Sequence, residues 1–291
     1  MARPLTRQDT AAIFDIVAAC ELEDDGVVEA DPENFEAFDR LGFDPAIDAV
    51  IAFDGDQPVA WAELYRQRAE ADVRPSHRGR GIGAALLDWI EARARTFGDA
   101  HVGQTKTDAN ARARDLFLAR GFEPTWTSWI IRIELDRPPA PPRIPLGITI
   151  RPYRSADDRE VHRVMDAAFS EWPGRDPEPF EVWAPQVLTH AAFAPDLSPL
   201  AFDGENLVGV VLSYDYSDHG EGWIQQLATA ATHRRRGIAQ ALLHTAFCWF
   251  HDRGLRTVGV STDSRTGALG LYEKVGMRVV RQYTRYTKRL T

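Results

Sequence analysis

One stretch of this chain occurs twice, and the repeat limits the fold more than any other feature. Trp223 to Leu243 reads WIQQLATAATHRRRGIAQALL, and Val73 to Leu87 reads VRPSHRGRGIGAALL. His-Arg, Arg-Gly-Ile and Ala-Leu-Leu coincide in register. Each copy reads as a strand, an arginine-crowded loop and a helix with apolar residues at helical spacing. The loops are Arg234-Arg235-Arg236-Gly237-Ile238-Ala239, R-x-x-G-x-A, and Arg78-Gly79-Arg80-Gly81-Ile82-Gly83, R-x-x-G-x-G. A helix opening on such a turn presents unpaired N–H groups and the positive end of its dipole. Small residues let a phosphate approach that backbone, and the arginines add charge. Each loop is therefore a candidate pyrophosphate cradle. Neither is a Walker loop, because no Gly-Lys-Ser/Thr follows, and neither has the G-x-G-x-x-G spacing of a dinucleotide site.

The repeat extends to nearly the whole chain. Arg3-Pro4 matches Arg151-Pro152, and AFDGDQPVAWAEL from Ala52 matches AFDGENLVGVVLS from Ala201. Thr107-Asp108 matches Thr262-Asp263, and Leu116-Phe117 matches Leu271-Tyr272. The pattern predicts a helix over 8–20, capped by Thr6 to Asp9, and a looser one from Pro32 to Leu41. Strands are expected at 49–53, 58–65 and 69–73, the first two joined by a turn at Asp54 to Gln57. The cradle helix should run to Phe97, then a strand at 101–107, a helix at 111–120 and a strand at 126–135. Five of the twelve residues of DRPPAPPRIPLG, Asp136 to Gly147, are proline, which favours a stiff extended connection. The expected division is a domain over 1–137, a linker over 138–147 and a domain over 148–291.

This pattern resembles the acyl-CoA pyrophosphate loop of the GNAT superfamily of N-acetyltransferases, in a tandem two-domain layout. The resemblance implies an α/β fold of the α+β mixed-sheet kind. It would contain two tandem GNAT domains, each a mostly antiparallel mixed sheet with a splayed strand pair that binds acyl-CoA. It implies direct acetyl transfer from acetyl-CoA to a primary amine, with one acetyl-CoA per domain and no metal. In the second half, the donor would lie on Leu227, Ala228 and Thr229, on Arg234, Arg235, Arg236, Gly237, Ile238 and Ala239, and near Asp263 and Arg265. In the first half it would lie on Val73, Arg78, Gly79, Arg80, Gly81, Ile82, Gly83 and Asn110. Arg265 stands where many members carry Asn, whereas Asn110 keeps that residue.

The family places a tyrosine on the helix after the fifth strand to meet the departing thiolate. That position is Tyr272 in the second half and Phe117 in the first, so the second half is expected to be catalytic and the first degenerate. Glu221 is the first candidate for the base that takes the amine proton, with a water chain as the alternative. Asp215, Asp218 and His219 follow, and His233 is set aside because its twin His77 suggests a structural role. The acceptor pocket is expected at Phe169, Glu171, Trp172, Trp183, Asp215 and Tyr216, where aromatic walls and acids suit an ammonium group. An acyl-CoA-binding scaffold without turnover and a transferase using another acyl donor are the competing readings.

Composition enters at this point. The 291 residues carry a formal net charge of −9, which disfavours nucleic acid and anionic membranes as partners. No apolar run approaches the roughly 20 residues of a membrane span, and MARPLTRQDT lacks a secretory apolar core. The two cysteines, Cys20 and Cys248, fall in separate helices and read as buried thiols. A cytoplasmic monomer or homodimer acting on a small-molecule amine is the expected setting. The acidic excess lies in the first half, and Glu21 to Asp39 holds nine acids and no base. That run reads either as a solvated face or as a surface that attracts a cationic acceptor.

Overall fold

A computed structural model describes residues 1–30, 42–172 and 175–290. The helix expected from Pro32 to Leu41 lies outside them. The chain forms two compact units, Met1–Ser128 with Arg281–Thr291, and Trp129–Val280.

The first unit begins with β1 (Ala2–Pro4), α1 (Thr10–Asp25) and the short α2 (Pro45–Asp48). There follow β2 (Ala49–Asp54), β3 (Gln57–Tyr65), β4 (Arg68–Val73), α3 (Ile82–Phe97), β5 (His101–Thr107) and α4 (Ala111–Ala119). The strands β2 to β5 and the helices α3 and α4 lie close to the expected bounds, whereas α1 runs five residues beyond the expected 20, up to its cap at Gly26, and the pattern does not predict α2. Asp9 accepts from the Thr6 N–H and hydroxyl at 2.8 Å and pairs with Arg3 at 2.6 and 2.8 Å. The Arg3 bond is the main cause that holds the Asp9 carboxyl down at about 2. β1, β2, β3 and β4 pair antiparallel in order, and β4 meets β5 in parallel. One face packs Leu5, Ile13, Ile16 and Trp61 under α1, and the other packs Leu64, Leu86, Ile90, Val102 and Phe117 under α3 and α4.

The second unit repeats the order with β7 (Ile148–Pro152), α5 (Asp158–Phe169), α6 (Phe180–Val187), β8 (Pro199–Asp203) and β9 (Asn206–Tyr216). Then come β10 (Glu221–Thr229), α7 (Ile238–Arg253), β11 (Thr257–Asp263) and α8 (Leu269–Lys274). β7 to β10 pair antiparallel in order, and β10 meets β11 in parallel. The Arg3–Asp9 device recurs as Arg151–Asp157 at 2.7 Å on each oxygen, which explains the matched Arg-Pro pairs.

Two long strands remain, β6 (Glu123–Glu134) and β12 (Arg278–Arg289). Residues 283–289 of β12 pair antiparallel with β5, so the carboxyl-terminal strand completes the first unit. β6 lies beside β11, where the Leu135 N–H donates to the Arg256 carbonyl at 2.6 Å. The linear division at 137 and 148 would give each half its own last strand, whereas the compact units trade them. Side-chain partners show why. β12 supplies Arg281 to Glu29 at 2.5 Å and Lys288 to Glu91 at 2.7 Å, while β6 supplies Ile131 to the second unit's core and Arg132 to Glu221.

Candidate active site

Both cradles have the same skeleton. Gly237 at φ 83° and Gly81 at φ 83° precede the first turns of α7 and α3 in the left-handed conformation that glycine adopts without a Cβ penalty. A Cβ at Gly81 would meet nothing within 4 Å, and one at Gly237 only Pro145 at 3.9 Å, so each seat over the helix start is open. The first arginine braces the loop. The Arg234 Nε donates to the Thr229 carbonyl at 3.2 Å and its guanidinium grips Glu171 at 2.7 and 2.9 Å. Arg78 does the same with the Val73 carbonyl at 3.2 Å and Asp24 at 2.5 and 2.8 Å.

His233 and His77 brace the other side. The Nε2 of His233 lies 3.2 Å from Asp203 and its Nδ1 2.8 Å from the Thr232 hydroxyl. His77 repeats this with Asp54 at 3.3 Å and Ser76 at 2.9 Å. Arg236 and Arg80 reach the same aspartates at 3.4 and 3.5 Å. The remaining loop position differs: Gly79 takes φ 80° freely, but Arg235 is held at φ 61°. Such a conformation costs a non-glycine residue about 1 kcal/mol or more. Arg235 is exposed, and no described residue pairs with it.

The strands leading into the cradles differ more. β4 pairs with β3 without a break from Arg68 to Val73. β10 shifts register against β9 between Ile224 and Gln226, leaving Gln225 as a bulged residue. β10 follows β11 only from Glu221 to Ile224, so the two strands part where the bulge begins. A bulge turns backbone groups out of the ladder, and here it falls where β10 and β11 part. Leu227, Ala228 and Thr229 continue β10 beyond it, and among the described residues the buried Thr229 hydroxyl has no hydrogen-bond partner. The family resemblance counts Gln226 with Leu227, Ala228 and Thr229 on the donor strand, but nothing in the sequence singled out Gln225, because the bulge exists only against its neighbour.

Tyr272 lies on α8 at 5% exposure, and no described residue hydrogen-bonds its hydroxyl. Burial raises its pKa well above the ordinary tyrosine value. Phe117, its twin, stacks on Tyr286 at 5.1 Å and packs against Phe122 at 5.5 Å, so the slot in the first unit is filled by rings.

Glu221 stands in the closed part of the ladder, four residues before the bulge, or about 13 Å of strand. Both its oxygens are engaged by Arg132, at 2.7 and 3.1 Å. Trp183 is buried between α5 and β10, and its Nε1 donates to the Gln226 side-chain oxygen at 3.3 Å. Trp172 tilts against Phe169 at 4.7 Å, with the Arg175 guanidinium over both rings. These two tryptophans lie on the bulge side of the sheet. Asp215 and Tyr216 do not join them: they pair with Gly222 and Glu221 at the other end of β10, and Asp215 is bonded to Ser217 and to Arg253 at 3.3 Å. Asp263 turns onto Arg265 at 2.6 Å.

Part of the acidic run, from Asp31 to Asp39, lies outside the described residues, and three of its described acids have partners within the first unit. Asp24 holds Arg78 and Asn110, Asp25 accepts from Thr107 at 2.7 Å, and Glu29 pairs with Arg281. Among the described residues no cluster of His, Cys, Asp or Glu is arranged to hold a metal, and no helix is long and apolar enough to cross a membrane.

Comparisons with known proteins agree with this geometry. The profile of the Acetyltransferase (GNAT) family matches residues 11–122 and 160–277, once in each half. A mycothiol acetyltransferase of Nocardia farcinica is 31% identical over 289 residues, covering 91% of this chain and 89% of that protein. One from Thermobispora bispora is 26% identical over 298 residues, covering 97% and 95%. A GCN5-related N-acetyltransferase from Sphaerobacter thermophilus superposes with a TM-score of 0.82 at 31% identity, over 100% of this chain and 95% of that one. A tandem GNAT protein from the clavulanic acid pathway shares the fold, with a TM-score of 0.76 at 15% identity over 100% and 98%. The duplicated cradle, the parting strands and the family match in each half lead to one conclusion: this chain is a tandem two-domain acetyltransferase and belongs to the GNAT family.

Proposed function

We propose that the second unit transfers an acetyl group from acetyl-CoA to the primary amine of a small molecule by direct attack, and that the first unit does not turn over. The observation that carries this is the β-bulge at Gln225, at the point where β10 parts from β11, with no counterpart in β4. The open seat at Gly237 and the unpartnered Thr229 hydroxyl fit a phosphopantetheine donor. The donor supplies a thioester carbonyl. The chain's part is to hold the pyrophosphate on the N–H groups of Ile238 and Ala239, with Arg235 and Arg236 adding positive charge. Bulge N–H groups face the carbonyl, where preorganised donors are worth most. The Tyr272 hydroxyl, buried and uncommitted, hydrogen-bonds the departing sulfur.

Glu221 is the sequence candidate for the base, but Arg132 engages both its oxygens. The amine proton therefore passes to solvent through water, and Glu221 orders the strand. Trp172 and Trp183 wall the acceptor side. The similarity to mycothiol acetyltransferases supports a small-molecule acceptor.

The test is turnover of acetyl-CoA by the purified protein across a panel of small amines, with thiol release and acetylated product measured together. Mass spectrometry of the protein as isolated should show bound CoA species. Donor binding without acetylation of any amine would leave only an acyl-CoA-binding protein.

A further inference from the structure

The two units treat the space between their parting strands in opposite ways. In the first unit the ladder between β4 and β5 records a single pair, Arg68 with Gly103. Beyond it the strands diverge, as in the second unit. The opening is bridged by Lys106, whose Nζ lies 2.5 Å from an Asp72 carboxylate oxygen, with both side chains less than one-fifth exposed.

Strand alternation locates this bridge. Val102 packs in the core under α3 and α4, and Lys106, four residues on, leaves β5 on that face. Ala71 and Val73 pack against the same core, so Asp72 between them leaves β4 on the opposite face. An ion pair joining the two must pass through the gap. Burial opposes the Lys106 charge, but the attraction and hydrogen bond of Asp72 outweigh it. The register of the repeat puts Ala228 at the position of Asp72 and Ser261 at that of Lys106. The second unit thus carries two small residues where the first carries a bridge.

The entrance is occupied as well. Asp24 on α1 accepts from Arg78 at the cradle and from the Asn110 side chain at 2.8 Å at the start of α4. Arg78 and Asp24 are 13% and 10% exposed, whereas Arg234 and Glu171 are 40% and 49% exposed. The equivalent of Asn110, Arg265, bonds its neighbour Asp263, and Arg234 pairs with Glu171.

We infer that the first unit's acyl-CoA cleft is filled by the chain's own side chains, Lys106–Asp72 in the gap and Asp24 at its mouth, so that the protein takes one acyl-CoA, in the second unit. This rests on the reading that the second cradle holds the donor. A pantetheine arm in the first unit would have to separate a mostly buried ion pair, a cost that no neutral amide chain offsets.

Isothermal titration of the full chain with CoA, which binds without turnover, tests the inference. One molar equivalent is expected, and it should disappear in Ala239→Glu, which adds a bulky carboxylate in the first turn of α7, beside the second seat, without altering a left-handed residue. Two equivalents in the parent, or one that survives Ala239→Glu, would overturn the inference. No binding at all would instead bring down the proposed donor site. The converse variant, Asp72→Ala with Lys106→Ser, gives the first gap the second unit's residues, and Asp24→Ala added to it frees the mouth. A second equivalent should then appear in a protein whose circular dichroism matches the parent. A folded triple variant that still takes one equivalent would show that these side chains are not the plug.

Discussion

The two cradles agree in almost every bond, and the strands that feed them do not. Arg78 and Arg234 make the same carbonyl and carboxylate contacts, and His77 and His233 make the same pairs. Yet β10 is bulged, opens onto Ala228 and Thr229, and lies in a unit with an uncommitted tyrosine hydroxyl. β4 is unbroken, bridged by Lys106, and lies in a unit whose matching slot holds stacked rings. The cradle geometry is therefore a property of local backbone and is kept where the strands beside it differ. On the proposed reading, turnover depends on what those neighbouring strands leave open.

The strongest way to break this contrast is to block each seat. Gly237→Glu should reduce acetyl transfer to background, while Gly81→Glu should leave most of it. A left-handed glutamate costs about 1–2 kcal/mol in either unit, so equal losses in thermal melts would confirm that only the activities differ. Activity that follows Gly81 would mean the roles of the units are reversed.

Next in size is the tyrosine. Tyr272→Phe, which gives the second unit the first unit's ring, should lower kcat by about 10²-fold with donor affinity little changed, the range usual for losing an acid. Phe117→Tyr should add nothing, because its neighbours Tyr286 and Phe122 already close the slot. Burial raises the Tyr272 pKa, so the group stays a phenol through the ordinary tyrosine range. A kcat profile that declines with a pKa near 10 and flattens in Tyr272→Phe would contradict that environment.

Arg235 sharpens the comparison at the level of strain. Arg235→Gly gives the second loop the residue of the first. It should stabilise the protein by about 1 kcal/mol, read as a rise in melting temperature. It should also raise the Kd for CoA by several-fold through the lost charge. A fall in melting temperature would show that the left-handed arginine is not strained.

The smallest effect should be common to both units. Asp9 has its carboxyl held down at about 2, chiefly by the Arg3 bond, and Arg151 likewise lowers Asp157. A depressed carboxylate contributes stability above its unfolded value and loses it as pH falls through the folded one. Asp9→Asn should therefore cost under about 1 kcal/mol at pH 7, since Arg3 is partly exposed. That cost should shrink as pH falls below the ordinary carboxylate range and be gone only below about pH 2. Urea unfolding at the two pH values measures it, and a cost that persists in acid would assign the effect to capping rather than charge.

Much of this was legible in the residues, and the reason is locality. The cradles, the hairpins and the helix starts are written within a few positions of one another, so the R-x-x-G spacing, the Asp54 to Gln57 turn and the apolar periodicity located them. The matched Phe117 and Tyr272 distinguished the halves because the repeat aligned one slot against its twin. Non-local features could not be read this way. Gln225 is a bulge only against β9, and Glu221 is engaged only because β6 brings Arg132 beside it. Asp72 is paired only because β5, more than thirty residues later, supplies its lysine.

The exchange of last strands belongs to the same class. Sequence by itself determined that this chain folds as two copies of a phosphate-cradling unit, because hydrogen-bonded turns and helix starts depend on short-range backbone preferences. Tertiary structure decided where β10 breaks its ladder and which strand completes each unit. Those outcomes depend on side chains from distant segments competing for the same space and charge, and no local spacing records that competition.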